Sequence, residues 1–333
     1  MAPRQQVEAL YWKQKGDGAV QCDLCPIHCS LKEGKTGVCM AKKNIGGRLI
    51  ATTYGLTVAF NYDPIEKKPL YHFRPGTSIL SLGPNACNLA CGFCQNFHIS
   101  QKQAPTQNIT PELVVASASA DNCGSVAYTY TEPLMWYEYL LDTAQVVRDA
   151  GLKNVLVTNA HLEPEPFDRL LPLIDALNVD IKSMDGSFYK KICRGKLAPV
   201  LRNVEKAVGK AHVEITNLVI PGLNDTDGNF DSLAKFLAGL DTFIPLHFSR
   251  YHPMYKLDTP PTPVETLLRA AEIARQRLKY VFVGNVDVPG YNDTLCPFCG
   301  AMLISRKHYI GVTVGLKNGH CLKCGKDARI TGA

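Results

Sequence analysis

The middle of the chain alternates short runs of β-branched and apolar residues with longer stretches whose apolar positions recur every three or four residues. The runs at 78–82, 125–130, 154–158, 177–182, 212–220, 244–249 and 280–286 read as strands. The clearest helix between them is 133–150, where Leu134, Tyr137, Leu141, Ala144 and Val147 share a face and Gly151 offers a carboxyl-terminal cap. Another begins at Thr110, a capping residue with Pro111 at the first helical position. Such alternation predicts an α/β fold of βαβ units around a parallel sheet. The strand count fits a six-unit partial (β/α)6 barrel better than a closed eight-unit one.

Polar residues gather where such a barrel puts its chemistry, at the carboxyl ends of the strands. The run GPNACNLACGFCQN follows the first strand, Glu132 the second and Asn159 the third, while Asp180 and Lys182 end the fourth. Pro221, Gly222, Asn224 and Asp225 follow the fifth, and Arg250 and His252 the sixth. Singly, each reads as a cap or turn residue. Their recurrence at one edge marks a candidate site.

Cys87, Cys91 and Cys94 stand there with the spacing C-x3-C-x2-C. Three thiolates bind three irons of a 4Fe–4S cluster and leave the fourth without a protein ligand, whereas electron-transfer clusters normally take four cysteines. Zinc sites favour paired C-x2-C knuckles, which makes zinc or plain structural cysteines the weaker reading.

Two further cysteine sets flank the barrel. Cys296 and Cys299 (CPFCG) with Cys321 and Cys324 (CLKCG) form a zinc-ribbon pattern suited to structural Zn2+, although a single iron uses the same knuckles. With every coordination position filled, this site is expected to fold the tail rather than to catalyse. Near the start, Cys22, Cys25, Cys29 and Cys39 give C-x2-C-x3-C-x9-C, with His28 as a competing ligand. Zinc and an auxiliary iron–sulfur cluster both suit this set, and the reading leans to zinc because the redox chemistry already has its cluster. Cys123 and Cys193 stand outside any motif and read as small buried residues.

The 333 residues suffice for one large domain with additions. We expect a Cys-rich extension at 1–75, the barrel at 76–290 and the ribbon at 291–333. No run approaches 18 apolar residues, and the first residues lack the apolar core of a signal peptide. A soluble, cytoplasmic protein with no membrane partner is expected. Thirteen cysteines in close-spaced motifs then read as metal sites in a reducing compartment rather than as disulfides. From Cys296 onward, six Lys or Arg face one acid, so the tail holds +5 of the net +6. Aromatic and basic residues do not interleave there, and a nucleic-acid partner is not expected.

The cysteine loop, with Phe93 before its last cysteine, resembles the radical S-adenosylmethionine (SAM) superfamily. The wider set CDLCPIHCSLKEGKTGVC, DPIEKKPLYHFRPG, CGFCQNFHISQ, YTYTEP, VTN, VDIKS, ITNLVIPGLND, HFSRYHP, VFVGN and the two ribbon knuckles resembles the radical SAM enzymes of the AmmeMemoRadiSam system, relatives of pyruvate formate-lyase activating enzyme. The resemblance implies a partial barrel, a 4Fe–4S cluster whose open iron chelates SAM, and reductive SAM cleavage to a 5′-deoxyadenosyl radical that abstracts hydrogen. It also implies a reductant such as flavodoxin or ferredoxin, Memo-like and AMMECR1-like partners, and SAM contacts at Phe93, Glu132, Asn159, Asp180 and Lys182, with Lys182 pairing a SAM carboxylate. A glycyl-radical enzyme activase is the alternative within this class. A non-catalytic metal or redox regulator binding nucleic acid or protein through the ribbon is the alternative outside it.

Two residues depart from the resemblance. Thr131 stands where asparagine is usual, which alters a hydrogen bond near SAM; Ala160 replaces a usual glycine, which implies a turn without positive φ. The run at 63–76 is expected over the open barrel end, where Lys67, Lys68 or His72 would meet an anionic substrate.

Overall fold

The computed structural model describes residues 6–120 and 123–332, so residues 1–5 of the expected extension and residue 333 of the ribbon lie outside it. One eight-stranded sheet organises the chain, with its strands in sequence order from edge to edge. It begins with β1 (Ala59–Pro64), which runs antiparallel to β2 (Ser78–Gly83). The parallel strands β3 (Ser125–Tyr128), β4 (Lys153–Thr158), β5 (Ala176–Asp180), β6 (His212–Val219), β7 (Leu246–Arg250) and β8 (Val281–Gly284) follow. Helices α1 (Pro111–Ala120), α2 (Tyr137–Asp149), α3 (Pro164–Leu170), α4 (Leu197–Ala207), α5 (Asp227–Leu240) and α6 (Val264–Arg275) make the six crossovers. Six βα units and a closing strand result. The added edge strand β1 lies within the 1–75 stretch expected to be extension.

Residue alternation decides what faces what, because successive side chains leave a strand on opposite sides. Leu80, Leu82, Val126, Tyr128 and Leu156 join the main core with the helices, whereas Ile79, Ala127, Val155 and Ala176 meet Ile65, Leu70 and Phe73 inside the barrel. Pro64 pairs with Ser78, so the segment after β1 emerges at the amino-terminal end of β2. The run at 63–76 therefore plugs the end opposite the cysteine loop and does not cover the open end. The Lys68 ammonium, buried with Asp63, lies 2.6 Å from its carboxylate. His72 lies 3.2 Å from the Thr294 hydroxyl through Nε2, and its N–H donates to Glu214 at 2.7 Å. Buried Glu214 also meets His212 and His247 at 2.9 and 2.7 Å, which hold its carboxyl well below the usual range although burial works against its charge.

The flanking modules occupy opposite ends. The ribbon packs on the plugged end, where Arg306 donates to the Tyr71 carbonyl at 2.5 Å and Tyr280 to the Ala328 carbonyl at 2.9 Å. The amino-terminal module docks on α2 and the loop after β4: Leu10 N–H donates to Glu138 at 2.8 Å, Lys42 pairs with Glu138, and Glu163 N–H donates to the Leu24 carbonyl at 3.1 Å. That places it beside the cysteine loop.

Candidate active site

The site starts at Gly83, where β2 ends. A Cβ there would stand 2.1 Å from the Thr129 carbonyl oxygen, so only glycine lets the ends of β2 and β3 close before the loop departs. The Thr131 hydroxyl then donates to the Pro84 carbonyl at 2.6 Å, and Glu132 N–H to the Ala86 carbonyl at 3.0 Å. Thr131, expected near SAM, thus ties down the loop. Asn85 donates to the carbonyls of Ile99 and Lys102 at 2.5 and 2.7 Å and fastens the loop's return.

Cys91 is buried, and Cys87 and Cys94 are half-buried. Leu89 N–H donates to Cys87 Sγ at 3.5 Å, and the Ser100 hydroxyl lies 3.2 Å from Cys94 Sγ. Among the described residues, only the ribbon's four cysteines form a group of three or more ligand atoms that all lie within 4.8 Å of one another. The spread of Cys87, Cys91 and Cys94 suits a multi-iron cluster and not one ion.

The strand-end residues converge on this loop. Buried Glu132 accepts from Leu134 N–H (3.1 Å), the Thr158 hydroxyl (2.6 Å) and Asn159 N–H (2.7 Å). Three of about four lone-pair positions are used, leaving one for a ligand. Burial pushes its pKa up to about 7 against those three donors. Asn159 donates to Asn88 Oδ1 at 3.0 Å and accepts from His161 N–H at 2.8 Å, so its amide braces the loop. Lys182 lies 2.7 Å from Asp180. Burial opposes its charge, yet Asp180 and then the Cys91 sulfur hold its pKa above the usual lysine range. The Phe93 ring is buried, its centroid 6.1 Å from that of Phe188.

Ala160 has φ of 51°. The left-handed turn usual for glycine is therefore kept, contrary to the expectation from its side chain. Hydrogen bonds hold it: Ala160 N–H to the Thr158 hydroxyl at 3.0 Å, and the Asn203 amide to the Ala160 carbonyl at 2.8 Å.

Two residues at the site escaped the sequence reading. His161 accepts from Lys196 N–H at 3.1 Å through Nε2, and burial pushes its pKa down to about 4. Cys193 ends a π-helical turn, Tyr189–Cys193, and is buried beside the cysteine loop. The pairing of Ala90 N–H with the Cys193 carbonyl (2.9 Å) and of Gly92 N–H with the Ile192 carbonyl (3.3 Å) brings it there. No motif spacing carries that signal.

The chain belongs to the radical SAM superfamily, which it matches over residues 83–237. It is an enzyme of that class, with the mixed α/β fold and parallel sheet of the superfamily. It is 43% identical over 333 residues to an uncharacterized protein of Methanocaldococcus jannaschii, covering 97% of this chain and 99% of that one. It is 29% identical over 115 residues to the (2S)-3-sulfopropanediol dehydratase activating enzyme of Klebsiella oxytoca, covering 34% of this chain and 36% of that enzyme. A radical SAM methyltransferase from Sphaerobacter thermophilus shares the fold at a TM-score of 0.51 and 16% identity, over 89% of this chain and 81% of that chain. No helix among the described residues is long and apolar enough to cross a membrane.

Proposed function

We propose that this protein cleaves SAM reductively at a 4Fe–4S cluster bound by Cys87, Cys91 and Cys94 and abstracts hydrogen from a substrate. The cluster with SAM supplies the 5′-deoxyadenosyl radical; the protein binds, orients and excludes water. The observation that carries this reading is the convergence of Glu132, Asn159, Asp180 and Lys182 on a loop with three spread thiols. Glu132, with its free lone pair, and Lys182 are the polar contacts for SAM, while Asn159 acts by holding the loop and Phe93 packs beneath it.

Within the superfamily, we assign the chain to the AmmeMemoRadiSam group, with Memo-like and AMMECR1-like partners and a flavodoxin or ferredoxin as electron donor. The motif set spanning both flanking modules supports this. Partial similarity to an activating enzyme supports activation of a glycyl-radical protein as the second reading. The ribbon takes structural zinc: Cys296 and Cys324 Sγ lie 3.6 Å apart, and Cys299 and Cys321 Sγ 3.7 Å. A zinc ion about 2.3 Å from each sulfur sets them roughly that far apart.

Anaerobic reconstitution with iron, sulfide and dithionite, followed by chromatography for 5′-deoxyadenosine, tests the reaction. Product should form in wild type and vanish when Cys87, Cys91 and Cys94 are all replaced by alanine. Undiminished product from that variant would sink the proposal.

A further inference from the structure

The four amino-terminal thiols lie around one cavity, in a geometry that differs from the ribbon's. Cys22, Cys25, Cys29 and Cys39 line one largely enclosed cavity, walled also by Leu24 and Met135. Gly37 borders it, and a Cβ there would stand 3.7 Å from Cys39 Sγ and 3.9 Å from Cys29 Sγ. Backbone bonds fix the frame: Cys22 N–H to the Cys29 carbonyl at 2.9 Å, and His28 N–H to the Cys25 carbonyl at 3.1 Å. His28 is no competing ligand, because its two ring nitrogens each lie 3.2 Å from a carboxylate, Asp23 and Glu163.

Spacing separates the alternatives. One zinc at about 2.3 Å from four sulfurs draws them within about 4 Å of each other. The ribbon meets that condition, and among the described residues no other set of three or more ligand atoms gathers within 4.8 Å. The amino-terminal sulfurs stand apart around a void, as those of Cys87, Cys91 and Cys94 do. A four-iron cube needs that arrangement, with one thiolate on each corner iron.

Position adds a second argument. Cys87 N–H donates to the Cys39 carbonyl at 3.3 Å, so a single backbone hydrogen bond joins a ligand of one site to a ligand of the other. Asn88, next in the chain, accepts from Asn159 at 3.0 Å. The two sites share a wall, and the ribbon lies at the far end of the barrel.

We propose that Cys22, Cys25, Cys29 and Cys39 hold a second 4Fe–4S cluster, ligated by four cysteines, that relays electrons to the site at Cys87, Cys91 and Cys94. One electron from a low-potential donor of the flavodoxin or ferredoxin class reduces the second cluster; its transfer to the first reoxidises it, with no bond made or broken. The relay rests on the radical SAM reading, whereas the cluster itself does not.

The test uses the full chain, reconstituted anaerobically. Wild type should hold about eight irons and one zinc per chain; about four irons, with or without a second zinc, overturns the second cluster. The Cys87→Ser, Cys91→Ser, Cys94→Ser variant should keep about four irons and, once reduced by flavodoxin, an electron paramagnetic resonance signal that SAM leaves unchanged. Iron retained but left oxidised by reduced flavodoxin overturns the relay and leaves the cluster standing. Should the variant fail to fold, fully reduced wild type gives the same answer through magnetic coupling between adjacent clusters; two uncoupled signals overturn the shared wall. Failure of the radical SAM reading looks different: irons in place, no SAM-sensitive signal and no 5′-deoxyadenosine.

Discussion

His161 and Glu132 are close neighbours in one hydrogen-bond network with opposite responses to pH. Burial pushes the His161 pKa down to about 4. Between there and 6.5 the unfolded chain binds a proton that the folded protein refuses, so stability rises with pH across that window and is fully present above it. Glu132, raised to about 7, holds a proton in the folded state that the unfolded chain releases above 4.5. Its contribution falls as pH rises through that range, and the two slopes offset each other. His161→Gln isolates one of them. Relative to wild type, its destabilisation should be largest above pH 6.5 and shrink by on the order of 2–3 kcal/mol towards pH 4. Denaturant unfolding at pH 7.5 and pH 5 measures this; a constant difference would mean that the imidazole titrates normally. A lone histidine three residues past a strand gives no sign of this in the sequence, because its burial and its partners Asn88 and Lys196 come from segments distant along the chain.

The strands were legible because β-branched runs bounded by helical periodicity have few other uses, and each parallel strand falls within two residues of its expected start. β1 was not. AFNYDP alternates only over Phe60–Asp63 before Pro64 interrupts it, and its partner is set by the return of the chain along β2. Missing that strand sent the 63–76 run to the wrong end of the barrel, since the antiparallel direction of β1 decides where the run emerges. The carboxyl ends of β2 and β3 carry the next prediction. Gly83→Ala would drive a methyl group into the Thr129 carbonyl and force the ends of the two strands apart. Overpacking of this kind costs about 1–3 kcal/mol, and the displaced Pro84–Cys87 turn should lower iron incorporation as well. Iron per chain and the unfolding midpoint measure both effects; unchanged iron content would show that the loop is positioned independently of the strand ends.

Across the whole molecule, the two accessory cysteine modules differ in what they touch. The ribbon is more than an appended tail. The Arg306 guanidinium, wholly buried, donates to the carbonyls of Tyr71 and Asn292 and to the Thr294 hydroxyl, and lies 3.8 Å from the Glu66 carboxylate. Arg306→Ala should leave that carboxylate without its counter-charge and cost about 3–5 kcal/mol in unfolding free energy. A loss below about 1 kcal/mol would mean that Glu66 is content as a neutral acid. Truncation after Asp293 removes Thr294 and Arg306 together, and is expected to loosen the plugged end rather than cut away an inert appendage.

The same plug governs traffic. Ile65, Leu70 and Phe73 fill one end of the barrel, and the cysteine loop and the strand ends stand at the other. Whatever seats deepest has to enter first and leave last. For the reaction proposed above, turnover should then be ordered: a substrate analogue that lodges at the strand ends is expected to slow the escape of methionine and 5′-deoxyadenosine as effectively as it blocks the entry of fresh SAM.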